Sequence, residues 1–331
     1  MRTITYRDAL REAIREEMQR DERVFILGED IAGYGGTYAV TKGLFEEFGE
    51  KRVRDTPLAE EVITGAAIGA ALGGLRPILE IMTINFSLLA TDMLINNAAK
   101  FRYMFGGQPA VPLVVRTPGG GGAQRGAQHS QMFESLYAHV PGLKVVMPAT
   151  PYDAKGMLKS AVRDPDPVLF IEHELLYNVK GEVPDEGVEY TVPLNEADIK
   201  REGRDVTIIT FSRMLHVTMQ AAEDLAKEGI QAEVLDLRSI RPIDIDLIVQ
   251  SVQKTNRVVI AEEGWKYYGT GQGLAALIYE HAFDYMDAPI QHVNGADVPM
   301  PYSKVLERAA MPKKDDVVKA VKAIVPAPAI R

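Results

Sequence analysis

Short apolar runs alternate with helical patterns along almost the whole chain. "YRDALREAIREEMQRD" places Leu10, Ile14 and Met18 at helical spacing, and "RVFILGED" follows as a short buried strand. The alternation continues through "EEVITGAAIGAALGG" (helix), "RPILEIM" (strand), "LLATDMLINNAAKFRYMF" (helix), and "VPLVVRTP" and "GLKVVMP" (strands). "TPYDAKGMLKSAVRD" reads as a helix with Thr150 as N-cap and Pro151 at its first position, and "PVLFIEHE" closes the set as a strand. Strands joined through helices run parallel, and a parallel sheet needs cover on both faces. The expected fold class is therefore α/β, and this half is a doubly wound domain.

From about Tyr177 to Arg204 the pattern lapses into a polar stretch broken by Gly and Pro, as an interdomain connection does. A second alternation follows: "DVTIITF", "MLHVTMQAAEDLAKEG", "QAEVLDLRSI", "DIDLIVQSVQKT", "RVVIAEEG", "GQGLAALIYEHAF", "APIQHVN", and a final amphipathic "DDVVKAVKAIV". This is a second doubly wound α/β domain. The expected boundaries are 1–185, a linker at 186–203, and 204–331, and a chain of 331 residues has room for two domains.

Composition removes several classes of function. The chain has no cysteine, so disulfides, thiolate metal sites and thiol nucleophiles are excluded. A net charge of -9 without a cluster of Lys and Arg leaves no footprint for nucleic acid or an anionic membrane. No stretch approaches a membrane-spanning run, and the N-terminus is too acidic for a transit peptide and too polar for a signal peptide, so a cytoplasmic protein is expected. The glycine clusters "GYGGTY" and "GTGQG" do not make G-x-G-x-x-G, and the P-loop, H-E-x-x-H and G-x-S-x-G patterns are absent.

Two placements carry chemistry. In "DTPLAEEVITGAAIGAALGG", Glu60 and Glu61 fall in the first turn of a helix, where acids complement the helix dipole. Gly65, Gly69 and Gly73 share one stripe, at a cost of about 1 kcal/mol each relative to Ala. Such a stripe implies close approach by another helix, of this chain or of a second subunit. A carboxyl beside that contact is desolvated and suited to exchanging protons, and spacing alone does not choose between Glu60 and Glu61. In "TPGGGGAQRGAQHSQMFES", a flexible glycine loop precedes His129, which can donate a proton, or a hydrogen bond to a developing oxyanion.

The blocks "VFILGEDIAGYGGTYAVTKGL", "RVRDTPLAEEVITGAAIGAALGGLRPILEIMTINFS", "GAQHSQMFES", "GLKVVMPATPYDAKGMLKSAVRDPDPV" and "VPMPYS" together resemble the β subunits of the thiamine-diphosphate-dependent first component of 2-oxo acid dehydrogenase complexes. Among these they are most like the pyruvate dehydrogenase members. The resemblance implies a transketolase-like pyrimidine-binding domain followed by a transketolase C-terminal domain. It also implies oxidative decarboxylation of pyruvate with acetyl transfer to lipoamide. It places the catalytic carboxyl on Glu60, which exchanges a proton with a pyrimidine ring nitrogen, and the aminopyrimidine pocket on Met82 and Phe86. His129 matches the histidine that assists reaction with lipoamide. A potassium site of mostly backbone carbonyls falls on Leu113, Ala161, Val162, Asp164 and Asp166.

No "GDG" segment occurs in the chain, so by the same resemblance magnesium and the diphosphate half of the cofactor belong to a separate α subunit. The implied assembly is a heterotetramer of two α and two β subunits, bound to a dihydrolipoyl acyltransferase core and its lipoyl domain. A branched-chain 2-oxo acid or acetoin dehydrogenase β subunit is the alternative within the family. A non-catalytic subunit that tethers the complex to its core is the alternative of another class.

Overall fold

A computed structural model describes residues 1–326, which fall into two compact units. One comprises Met1–Gly119 with Leu136–Leu194, and the other Gly120–Ser135 with the chain from Asn195 onward.

In the first unit the elements are β1 (Arg2–Thr5), α1 (Tyr6–Arg20), β2 (Val24–Gly28), α2 (Leu44–Phe48), β3 (Val53–Asp55), α3 (Glu60–Leu72), β4 (Arg76–Glu80), α4 (Ala99–Met104) and β5 (Val114–Gly119). A short helix α5 (Glu134–Ala138) leads back into this unit, which continues with β6 (Lys144–Val146), α6 (Pro151–Arg163), β7 (Val168–His173) and β8 (Lys180–Val183). The strands of its main sheet lie in the order β6-β7-β5-β4-β2-β3 and pair in parallel. This is the doubly wound pattern expected from the alternation. Helix α1 starts where the Thr5 hydroxyl accepts from Asp8 N, and α6 starts where Thr150 accepts from Asp153 N with Pro151 at its head. Leu10, Ile14 and Met18 of α1 and Met157 and Leu158 of α6 are buried in one core with Val24, Ile26, Val168 and Phe170 of the strands. Each such side chain contributes about 1.5–3 kcal/mol on burial, which outweighs the modest propensities of strands this short.

Two local readings of the sequence change. The helix expected over "LLATDMLINNAAKFRYMF" is three pieces: a 3-10 turn at Ile84–Ala90, a π-helical stretch at Met93–Ala98, and α4. Asn97 Nδ2 donates to both the backbone oxygen and a carboxylate oxygen of Asp92, each at 3.1 Å, and Asn96 Nδ2 donates to the other at 2.7 Å. These side chains favour the wider five-residue spacing. The polar stretch expected as a connection, including the proposed 186–203 linker, is not wholly irregular. β8 pairs antiparallel with β1, and β9 (Asp198–Arg201) pairs antiparallel with a strand of the second unit. Both are short, half-exposed edge strands, whose side chains need not be apolar.

The second unit continues through β10 (Val206–Thr210), α7 (Met214–Lys227), β11 (Ala232–Asp236), β12 (Ser239–Arg241), α8 (Ile245–Thr255), β13 (Val258–Trp265), α9 (Thr270–Ala282), β14 (Gln291–Gly295), α10 (Lys304–Ala310) and α11 (Lys314–Lys322). Its sheet runs β14-β13-β10-β11-β9, parallel except at β9. No helix among the described residues is long and apolar enough to cross a membrane.

Candidate active site

At the carboxyl ends of β2, β4, β5 and β7, where parallel sheets build their sites, the first unit collects charge. Glu29 follows β2 directly, Glu80 ends β4, Arg116 lies in β5 and Glu172 in β7. Arg116 is 1% exposed and donates to Glu80 at 2.5 Å and to both oxygens of Glu172 at 2.6 and 2.8 Å, while Tyr177 Oη donates to Glu172 at 2.6 Å. One guanidinium thus serves two buried carboxylates; burial works against its charge, but Glu172 and Glu80 more than offset that and hold it well above the ordinary arginine value.

The "DTP" block is tied to this edge. Thr56 N donates to Gly28 O at 3.0 Å, and Asp55 Oδ1 accepts from Ala32 N at 2.7 Å. The chain then turns into α3 at Ala59, whose side chain provides no cap, so the first turn starts with Glu60. Glu60 is 8% exposed, whereas Glu61 is exposed. The tie brings α3 beside Glu29, which is 4% exposed and has no hydrogen-bond partner on either carboxylate oxygen among the described residues. Burial first, then the charges of Glu60, Asp30 and Glu80, raise the Glu29 carboxyl to about 7. A carboxyl held there exchanges protons near neutral pH, which suits it to a proton-handling site. Glu29 was not among the residues expected from the sequence. The legible signal was its position, an acid directly after a glycine-ended buried strand.

Met82 and Phe86 are half-buried, the first between β4 and the 3-10 turn and the second within that turn, which packs against α3. Glu60, Met82 and Phe86 therefore belong to one unit, in which the turn that carries Phe86 packs against the helix that Glu60 opens. The glycine stripe of α3 is split in use. Gly65 faces Met93 of this chain, where an added Cβ would stand 3.4 Å from its sulfur, while Gly69 is exposed and an added Cβ there would meet nothing within 4 Å outside its own helix among the described residues. The cluster "GYGGTY" also has a local role. Gly36, at φ +81°, lies over Glu80, 3.4 Å from its carboxylate to where a Cβ would stand.

His129 lies in the other unit, half-buried in the loop after the glycine run, its amide donating to Gly126 O at 3.3 Å.

Of the residues expected to hold potassium, Ala161, Val162, Asp164 and Asp166 lie at and just after the end of α6, and Leu113 is joined to the stretch that follows them. Val168 N donates to Leu113 O and Val111 N to Pro165 O, both at 2.9 Å, which sets the start of β5 against the end of α6. Arg76 Nη1 donates to Val162 O at 2.8 Å and Asp164 O at 3.3 Å, and Asp164 N donates to Ala161 O at 3.2 Å. Lys144 and Arg102 pair with the carboxylates of Asp164 and Asp166 at 2.6 and 2.5 Å. Each carbonyl keeps a second lone pair, so the oxygen-rich donor set fits a monovalent cation, but Arg76 already stands on two of its members.

Comparison with known proteins agrees with this architecture. A family model described as the transketolase pyrimidine-binding domain matches residues 2–180, and one described as the transketolase C-terminal domain matches residues 195–317. The chain is 52% identical over 323 residues to the mitochondrial pyruvate dehydrogenase E1 component subunit beta of Dictyostelium discoideum, covering 97% of this chain and 91% of that one. It is 50% identical over 321 residues to the corresponding subunit of Rickettsia felis, covering 97% and 98%. Identity to the mitochondrial subunit beta-1 of Arabidopsis thaliana is 51% over 321 residues, covering 96% and 88%. Among solved structures, a split gene transketolase described as an inactive β4 tetramer superposes with a TM-score of 0.80 at 25% identity, covering 97% of this chain and 98% of that one.

Proposed function

The chain belongs to the family of pyruvate dehydrogenase E1 β subunits, and from that premise we propose that it forms, with an α partner, the pyruvate-decarboxylating and acetyl-transferring component of a pyruvate dehydrogenase complex. The observation that carries this reading is the identity of half the residues over nearly the full length of both chains. Thiamine diphosphate, when bound, supplies the nucleophilic carbon and the electron sink for loss of carbon dioxide from the 2-oxo acid.

Glu60 holds and returns the proton at the pyrimidine ring nitrogen, and Glu29 keeps a second exchangeable proton beside it. Met82 and Phe86 would line the pocket for the aminopyrimidine ring. His129 assists acetyl transfer to the lipoyl group. Magnesium and the diphosphate belong to the α partner in an assembly of two α and two β subunits, and the lipoyl domain comes from the acyltransferase core. The exposed Leu58 and Val62 beside the open Gly69 supply apolar surface for such an assembly. The carbonyls of Leu113, Ala161, Val162, Asp164 and Asp166 would hold potassium in competition with Arg76.

The test is co-expression with the α partner and dye-linked oxidation of pyruvate, branched-chain 2-oxo acids and acetoin. Pyruvate should be preferred, and Glu60→Gln should abolish turnover. Normal decarboxylation by that variant would leave only the tethering role.

A further inference from the structure

The glycine run has an arrangement that the proposed function does not use. Consecutive backbone amides after a strand form a cradle for an anion. Here the chain fills the cradle from within its second unit. Gly121 N donates to Glu263 Oε1 at 2.7 Å, and Gly122 N and Gln124 N both donate to Glu307 Oε1 at 2.9 Å. Glu307 is 1% exposed and Glu263 8%, so both acceptors are withdrawn from solvent. Arg213 Nε donates to the other oxygen of Glu263 at 2.5 Å, which neutralises that arm. The segment "VPMPYS" covers the same loop: an added Cβ would lie 2.9 Å from the Met300 methyl at Gly121 and 3.5 Å from the Tyr302 ring at Gly126. Gly120 N donates to Gln131 O at 3.3 Å, closing the loop behind His129.

We propose that Glu307 and Glu263 are positioning residues, two internal carboxylates that clamp the amides of residues 121–124 and thereby fix the loop that presents His129 for acetyl transfer. The physical case rests on number and kind. Three amides that would otherwise be free to reorient are bound to ionised acceptors, which make stronger hydrogen bonds than neutral ones. The clamp also bars a ligand's phosphate or carboxylate from those amides, because the carboxylates already there would repel it. The loop therefore acts as a mount for His129, and the inference rests on the role proposed for that histidine.

The experiment uses the complex assembled with its α partner and compares Glu307→Ala, Glu307→Gln and His129→Ala with the parent. Three quantities are read: acetyl transfer to a lipoyl domain, dye-linked decarboxylation of pyruvate, and hydrogen exchange of peptides covering 120–131. Glu307→Ala should speed exchange at Gly122 and Gln124 and cut acetyl transfer by roughly 10- to 100-fold, the scale of a lost charged hydrogen bond, with decarboxylation near the parent rate. Glu307→Gln keeps one oxygen acceptor and should recover most of the transfer. Should the alanine variant fail to assemble, the glutamine variant must still show exchange faster than the parent. Unchanged exchange overturns the clamp. Faster exchange with normal transfer, while His129→Ala loses transfer, overturns positioning and leaves the histidine reading intact. Normal transfer by His129→Ala overturns the histidine reading itself, and positioning with it.

Discussion

Arg116 grips Glu172 through both carboxylate oxygens, at 2.6 and 2.8 Å, inside the parallel sheet of the first unit, where it stands directly across from Glu80 on the neighbouring strand. Neither partner reaches solvent to any useful extent. The pair, with Glu80 on the same guanidinium, is the electrostatic floor of the candidate site.

Removing that floor should be costly. Arg116→Met leaves two buried carboxylates without a cation, and the expected loss is on the order of 3–5 kcal/mol in urea unfolding. Arg116→Lys should recover only part of it, because an ammonium does not reproduce the planar fork that reaches two acids. A loss below 1 kcal/mol for Arg116→Met, on the scale of an exposed pair, would contradict the geometry.

The two acids of the first turn of α3 should separate cleanly. Glu60 is buried beside Glu29 and Glu61 is exposed. Glu60→Gln, in the assembled complex, should lower turnover by at least about 100-fold, the lower range of general acid-base contributions. Glu61→Gln should stay close to the parent enzyme. Equal effects of the two substitutions in a pyruvate assay would remove the distinction.

Stability should fall as pH rises above 5. Burial, with the neighbouring Glu134 charge, holds Glu262 at about 8, and burial, with Glu263, holds Glu134 at about 7; the ordinary value for each is 4.5. Between the ordinary and folded values the unfolded chain has released protons that the folded chain keeps, so raising the pH favours unfolding. The loss should run from about pH 4.5 to 8, at up to about 1.4 kcal/mol per pH unit for each group between its ordinary and folded values. Glu29 adds to it in the same direction up to about pH 7. Urea midpoints at pH 5 and 8 measure the effect. Glu262→Gln should flatten the profile, and an equally steep profile in that variant would show the charge of Glu262 to be irrelevant.

Replacing potassium with choline at constant ionic strength should lower the thermal midpoint of the complex if the carbonyls around Ala161 and Asp164 hold the ion, since a ligand bound only by the folded state stabilises it. Arg76→Ala should enlarge the response by vacating Val162 O and Asp164 O. A midpoint indifferent to the cation in both proteins would leave the site to Arg76.

The sequence by itself determined the two α/β units, the parallel strands and most element positions. Those properties follow from the local periodicity of apolar residues and from caps such as Thr150, which neighbouring residues already specify. Resemblance to the family's motif blocks also pointed to Glu60, Met82, Phe86 and His129, where spacing alone left Glu60 and Glu61 undivided. Tertiary structure alone decided the rest. The π-helical stretch at Met93–Ala98 depends on side chains of Asn96 and Asn97 choosing Asp92, and β8 and β9 are strands because an edge was available to pair with. Glu29 became a candidate only when Thr56 and Asp55 tied the α3 entrance to the end of β2. Glu307 met the amides of Gly122 and Gln124 at sequence separations of 185 and 183. Burial, charge coupling and hydrogen bonding of this kind depend on distances between residues remote in the chain, and no local pattern encodes them.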